Sequence, residues 1–169
     1  RCAGAWESLR EQFRRQKVEK TYLAVVEGAV ASAGTVESWL AHEPSRRGRM
    51  YVLPEREAPG GQRPLRAVTA YRLLRRDAAR TLLEVTIFTG VTHQIRCQLA
   101  HIGHPIGGDA VYGRRPPPAG SRLLLHAWRM KLRHPAGGDI RLEAPVPSEF
   151  GGVSETEAAG GPPFRASGS

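Results

Sequence analysis

Residues 89–113 read TGVTHQIRCQLAHIGHPIGGDAVYG. From Thr92 to Ile102 the pattern is helical. Ile95, Leu99 and Ile102 fall on one face, while Thr92, Arg96 and Ala100 line a flank beside it. Thr92 is placed to cap the helix, since its hydroxyl can accept an orphan N–H of the first turn. Gly103 and Pro105 stop it. Arg96 is then either an ordinary surface arginine or a cation held next to an apolar face. The glycines of GHPIGGDAVYG lack a Walker lysine and the G-x-G-x-x-G spacing, so a nucleotide-phosphate loop is not indicated. His93, His101 and His104 match no zinc spacing, and His93 and His101 point roughly 80° apart on an ideal helix. The expectation is therefore no metal. No G-x-S-x-G is present, and hydrolase chemistry has no nucleophile elbow to use.

Outward from this stretch the chain alternates strands and turns. Gly4 to Gln16 reads as a helix, with Trp6, Leu9 and Phe13 recurring among charged residues. KTYLAVVEGAV and GTVESWLA have strand composition and are expected to pair as a hairpin across Gly28. HEPSRRGRM is a basic connector, and YVLPEREAPGGQRPLR is turn-rich and polar. AVTAYRLLRR and ARTLLEVTIFTG are strong strands joined through Asp77-Ala78. Residues 85–90 have the composition of a strand packed on both faces. LLLHAWRMKLRHP and GDIRLEAPVP form a last hairpin around AGG, after the rigid basic loop RRPPPAGSR. The fold class expected is α+β, a mainly antiparallel mixed sheet with flanking helices. One domain is expected over residues 1–150, followed by a disordered tail over 151–169, which lacks apolar periodicity.

The charge points to a partner. Among 169 residues there are 22 Arg and 3 Lys against 16 acids, a net charge of +9. A surplus of that size suits a polyanion, and arginine suits bidentate phosphate contacts and stacking on bases. A GC-rich coding sequence would also favour arginine. Mean hydropathy is negative, and no apolar run approaches the ~20 residues of a membrane span. Cys2 and Cys97 suggest no disulfide framework, so a reducing cytoplasm is the expected compartment. The three aspartates, Asp77, Asp109 and Asp139, all read as turn residues. None looks buried beside a base and held for nucleophilic work.

Three motifs together resemble the RluA family of RNA pseudouridine synthases. VEKTYLAVVEG (18–28) looks like the family's tyrosine motif. Residues 88–113 are similar to its arginine motif, T-G-R-T-H-Q-I-R-x-H-L-x-x-x-G-H-P-I-x-G-D-x-x-Y-G. LLLHAWRMKLRHPAGGDIRLEAPVPSEF (123–150) is similar to its closing strands. The resemblance implies the pseudouridine synthase catalytic fold and the isomerisation of uridine in structured ribosomal or transfer RNA. It implies no cofactor, no metal and a monomer. Tyr22 matches the tyrosine that packs on the flipped base, and Arg96 the arginine that pairs with a catalytic aspartate. Arg46, Arg47, Arg49, His93, Arg114 and Arg115 are the expected RNA contacts. The family's H-R-L-D-x-x-T-S-G motif, which carries the nucleophile, has no counterpart here. The expectation is an N-terminally truncated domain, inactive alone, with a non-catalytic RNA-binding scaffold as the alternative. Val91 stands where the family has Arg, Gln98 where it has His, and Cys97 where it has Val.

Overall fold

The computed structural model describes residues 3–56 and 59–151. Seven strands form one fully antiparallel sheet: β1 (Glu19–Glu27), β2 (Gly34–His42), β3 (Met50–Leu53), β4 (Leu65–Arg76), β5 (Arg80–Ile87), β6 (Leu125–Arg133) and β7 (Asp139–Glu143). Their order across the sheet is β3-β2-β4-β5-β1-β6-β7. Among the described residues two α-helices accompany it, α1 (Ala3–Arg14) and α2 (Gln94–His101). The expected α+β class is what the chain adopts. The expected tail lies outside the described residues from 152 onward.

The β1–β2 hairpin does not form. β1 pairs with β5 and β6, while β2 pairs with β3 and β4. The cause is visible in β1 itself. Leu23, Ala24 and Val26 are fully buried on alternating and adjacent positions, so the strand needs cover on both faces and a neighbour on each side. The β4–β5 hairpin supplies one neighbour and inserts between β1 and β2. Its turn is tied by Asp77, whose Oδ1 accepts the amides of Ala79 and Arg80. The chain leaves β1 at Gly28, whose φ of +81° suits only glycine well. The Gly28 N–H donates to the Ala79 carbonyl, so the crossover starts against that turn.

α2 covers one face of the sheet. Ile95 and Leu99 pack on Ala24, Val26, Val85 and Ile87, and Tyr22 borders the same cluster. The other face is closed by Leu23, Leu82, Trp128 and Phe150. α1 is less committed. Trp6 is 67% exposed and Phe13 48%, so its apolar stripe is only partly used. Gln12 fastens it to the sheet by bonding both the N–H and the carbonyl of Arg133.

Candidate active site

The stretch 89–113 forms a loop, a helix and a second loop, and a buried polar ladder holds them on the sheet. α2 begins later than the sequence suggests. Thr92 does not cap it; the residue before the helix is His93, in a left-handed conformation with φ +53° and no side-chain cap bond. Gln94, the first residue of the helix, instead ties down the loop that precedes it. Its Oε1 accepts from the Val91 N–H and the Thr89 hydroxyl. Its Nε2 donates to the Val68 carbonyl and to Thr69 Oγ1. One turn on, fully buried Gln98 accepts from Thr69 Oγ1 at 2.6 Å and donates to Ser38 Oγ and the Ala67 carbonyl. Polar groups buried in this way stabilise only when all are paired, and here each amide is.

The flank opposite the two glutamines carries Arg96. Its Nε and Nη2 donate to the two carboxylate oxygens of Asp109 at 2.8 and 2.7 Å, a bidentate pair. The Asp109 side chain is fully buried, and that of Arg96 is 16% exposed. Asp109 Oδ1 also accepts the N–H groups of Val111 and Tyr112. Burial pushes the Asp109 carboxyl up, but the Arg96 bond and the two amides outweigh it and hold it below its usual value. This corrects the turn-only reading of Asp109. The turn exists, but the carboxylate is buried and bound to the arginine. Sequence signalled only the turn, since the partner lies 13 residues away.

Tyr112 completes the cluster. The Arg96 guanidinium lies 5.2 Å from its ring centroid and that of Arg49 lies 5.4 Å away. The Met50 N–H donates to its hydroxyl, which also meets His93 Nδ1 at 3.2 Å. Thus Arg49, His93, Arg96, Asp109 and Tyr112 converge. Arg46 and Arg47 sit on the same β2–β3 connection as Arg49 and are exposed; Glu43 holds Arg49 at 3.2 Å. Arg114 and Arg115 are exposed elsewhere on the loop, and Arg114 donates to the Gly103 carbonyl at the far end of α2. Val91 packs beside Met50, Cys97 and Tyr112. Cys97 is buried and its thiol is pushed up to about 11, chiefly by that burial.

Tyr22 stands on β1, between Val85 on β5 and Ala127 on β6. It projects from the sheet face that α2 covers. Val85 is buried and Ala127 is exposed, so the tyrosine has a wall on one side and open surface on the other. Burial raises its phenol above the usual value, which keeps it protonated at neutral pH. Two residues earlier on the same face, Lys20 donates to the carbonyls of Phe88 and Thr89 at 3.2 and 3.1 Å. Sequence reasoning passed over Lys20, Gln94, Gln98 and Thr69. The two glutamines four apart on one helix face were the available signal.

The model of the RNA pseudouridylate synthase family matches residues 1–101. The chain belongs to this family. Ribosomal large subunit pseudouridine synthase D of Nitrosomonas europaea is 38% identical over 151 residues, covering 84% of this chain and 42% of the relative. The protein of the same description from Escherichia coli strain K12 is 36% identical over 154 residues, covering 83% and 45%. The chain therefore spans less than half the length of these relatives. Among solved structures, Human RNA Pseudouridylate Synthase Domain Containing 1 superposes with a TM-score of 0.75 at 22% identity, over 88% of this chain and 64% of that one. Human RNA Pseudouridylate Synthase Domain Containing 4 gives 0.67 at 25% identity, over 85% and 64%. The family's fold is thus the fold described above.

Proposed function

We propose that this chain forms the base-holding and arginine-bearing part of an enzyme that converts uridine to pseudouridine in ribosomal large-subunit RNA. The substrate class follows from what the bacterial relatives are named for; transfer RNA is the second candidate. The reaction is an isomerisation. The N1–C1′ bond breaks, a C5–C1′ bond forms, and the C5 proton is lost while N1 gains one. No redox partner enters the balance.

One observation carries this reading. The Arg96 guanidinium is fixed by Asp109 through Nε and Nη2, which leaves Nη1 without a protein partner among the described residues. A cation held in one orientation by a buried carboxylate is preorganised for a second acceptor. In this reading that acceptor is the nucleophilic carboxylate of the family or the flipped nucleotide. Tyr22 offers a protonated phenol and an aromatic face to a base extruded from its stack. None of the three described aspartates suits the nucleophile's role. Asp77 and Asp139 are exposed, and Asp109 is already engaged. Arg46, Arg47, Arg49, His93, Arg114 and Arg115 are assigned to RNA contacts, with the protein acting as a cytoplasmic monomer.

The test is pseudouridine formation by the full-length gene product on ribosomal RNA transcripts, read by mass spectrometry of nucleosides. Arg96→Ala should nearly abolish turnover and Tyr22→Phe should depress it strongly. An unchanged yield in Arg96→Ala would sink the site assignment. RNA binding with no pseudouridine in the wild type would favour the non-catalytic scaffold.

A further inference from the structure

A groove of about 620 Å³ runs between α1 and the β6–β7 turn. Ser8 and Gln12 wall it on the helix side, and Phe88, Lys131 and Arg133 on the sheet side, with Lys17 and Glu19 at the base of β1. Its charges are unbalanced. Lys131 is paired with Asp139 at 3.2 Å. Lys17 and Arg133 have no carboxylate partner among the described residues, and both are exposed. Glu19 is the one other acid in the wall.

Lys20 is not a wall residue of the groove and meets it only through Phe88. Its ammonium is bonded to the carbonyl of Phe88, a wall residue, and to that of Thr89. Two of its three N–H donors are thereby spent on neutral oxygens. No carboxylate compensates it among the described residues, and burial alone accounts for its lowered pKa. An ammonium partly withdrawn from water with no counter-ion gains from an incoming anion. Access is open there as well. Gly90 is exposed, and a side chain at that position would meet only the Lys20 Nζ, at 3.5 Å. Lys20 and Tyr22 are two residues apart on one strand and share a face. Lys20 thus stands on the Tyr22 side of β1, while Glu19 of the groove wall stands on the other side of the same strand.

We propose that Lys20 and the groove beyond it, with Lys17 and Arg133, form a phosphate-binding track for the RNA strand that flanks the target uridine. The ligand class is the phosphodiester backbone. The Phe88 ring and the Leu132 side chain supply apolar surface in the wall, and none of the cations is aimed by a neighbouring carboxylate toward a protein partner. This surface is separate from the arginines of the β2–β3 connection and of residues 114–115. The proposal rests on the RNA reading above.

The test uses the full-length gene product and a fluorescein-labelled ribosomal RNA hairpin, with Kd measured by anisotropy across a KCl series. For single-stranded RNA the slope of log K against log salt falls by about 0.7 for each phosphate that the protein no longer neutralises. Lys17→Gln and Arg133→Gln should each lower the slope by about that amount, and the double variant by about 1.4. Lys17→Arg should restore it. Arg80→Gln, an exposed arginine at the other end of β5 from Phe88, should leave the slope unchanged. An unchanged Kd and slope in the double variant would overturn the proposal. The same samples are scored for pseudouridine. A lowered slope without isomerisation would keep the track and remove the catalytic reading. Isomerisation with an unchanged slope would do the reverse.

Discussion

Replacing Asp109 by Asn keeps the shape of the side chain and removes only its charge. The carbonyl oxygen of Asn can still accept from Val111 and Tyr112, which hold Oδ1 at 2.8 and 3.0 Å. The other position becomes an amide N–H facing the Arg96 Nε–H, formerly bonded at 2.8 Å. Two donors then confront each other, and a guanidinium is left buried without its counter-ion. Removing one partner of a buried ion pair costs about 3–5 kcal/mol. Arg96 keeps 16% exposure, so water can relieve part of the loss. The expected destabilisation is at the lower end, about 3 kcal/mol. Urea titration reads it as a lower midpoint at unchanged slope. The stranded charge, rather than the missing bond, is the larger part of this cost. Arg96→Met combined with Asp109→Asn should therefore be less destabilising than the sum of the two single changes, by about 1–3 kcal/mol. Additivity within about 0.5 kcal/mol would refute the pair as the element that fixes the loop to the helix. The pH dependence has a definite sign. The folded-state carboxyl sits below its unfolded value. Its contribution is complete above the unfolded pKa of ~3.9. It is lost as pH falls through the lower folded value, so the wild type should lose this stability in strong acid and Asp109→Asn should not.

Other outcomes follow from individual side chains. Gly108→Ala places a Cβ 2.0 Å from the Arg122 carbonyl oxygen at a φ of +73°; a loss on the order of 3 kcal/mol or more, or failure to fold, is expected in the same titration. Gln98→Leu leaves the Thr69 hydroxyl and the Ala67 carbonyl short of a partner, at about 1–3 kcal/mol each, and amide exchange should quicken first along α2. Cys97, with its thiol pushed up to about 11 and its side chain buried, should resist Ellman's reagent at mildly alkaline pH in the native protein and react only after unfolding. Rapid native labelling of Cys97 would contradict the packing of α2 against Met50.

The parts of this fold that were legible in the sequence are those fixed by local chemistry. The β4–β5 turn was readable because Asp77 bonds amides two and three residues ahead. The β6–β7 hairpin was readable from its spacing. What escaped depends on partners distant in the chain. GTVESWLA has strand composition, but nothing in it states that β4 will be its neighbour rather than β1. β3 is four residues long, and its MYVL was submerged in a polar, turn-rich segment. Thr92 was a sound cap by residue type. It is not used, because the helix starts only after His93, which takes a left-handed conformation with φ +53°. The helical spacing of Trp6, Leu9 and Phe13 was legible, but it does not state that the Trp6 ring stays mostly exposed.

The ladder of Gln94, Thr69 and Gln98 also explains why the arginine points where it does. An apolar helix face tolerates a modest rotation on a sheet, because dispersion contacts are non-directional. Two amides bonded to a shared hydroxyl and to strand carbonyls do not tolerate it. Residues 94 and 98 lie within about 40° of each other on the helix, and residue 96 falls about 160° from either. Pinning the glutamines to β4 and β2 therefore sets Arg96 on the opposite flank, where Asp109 and Tyr112 meet it. In this way the buried polar groups select one rotation of α2 out of several that would bury Ile95 and Leu99 comparably well, and that rotation is the one the site requires.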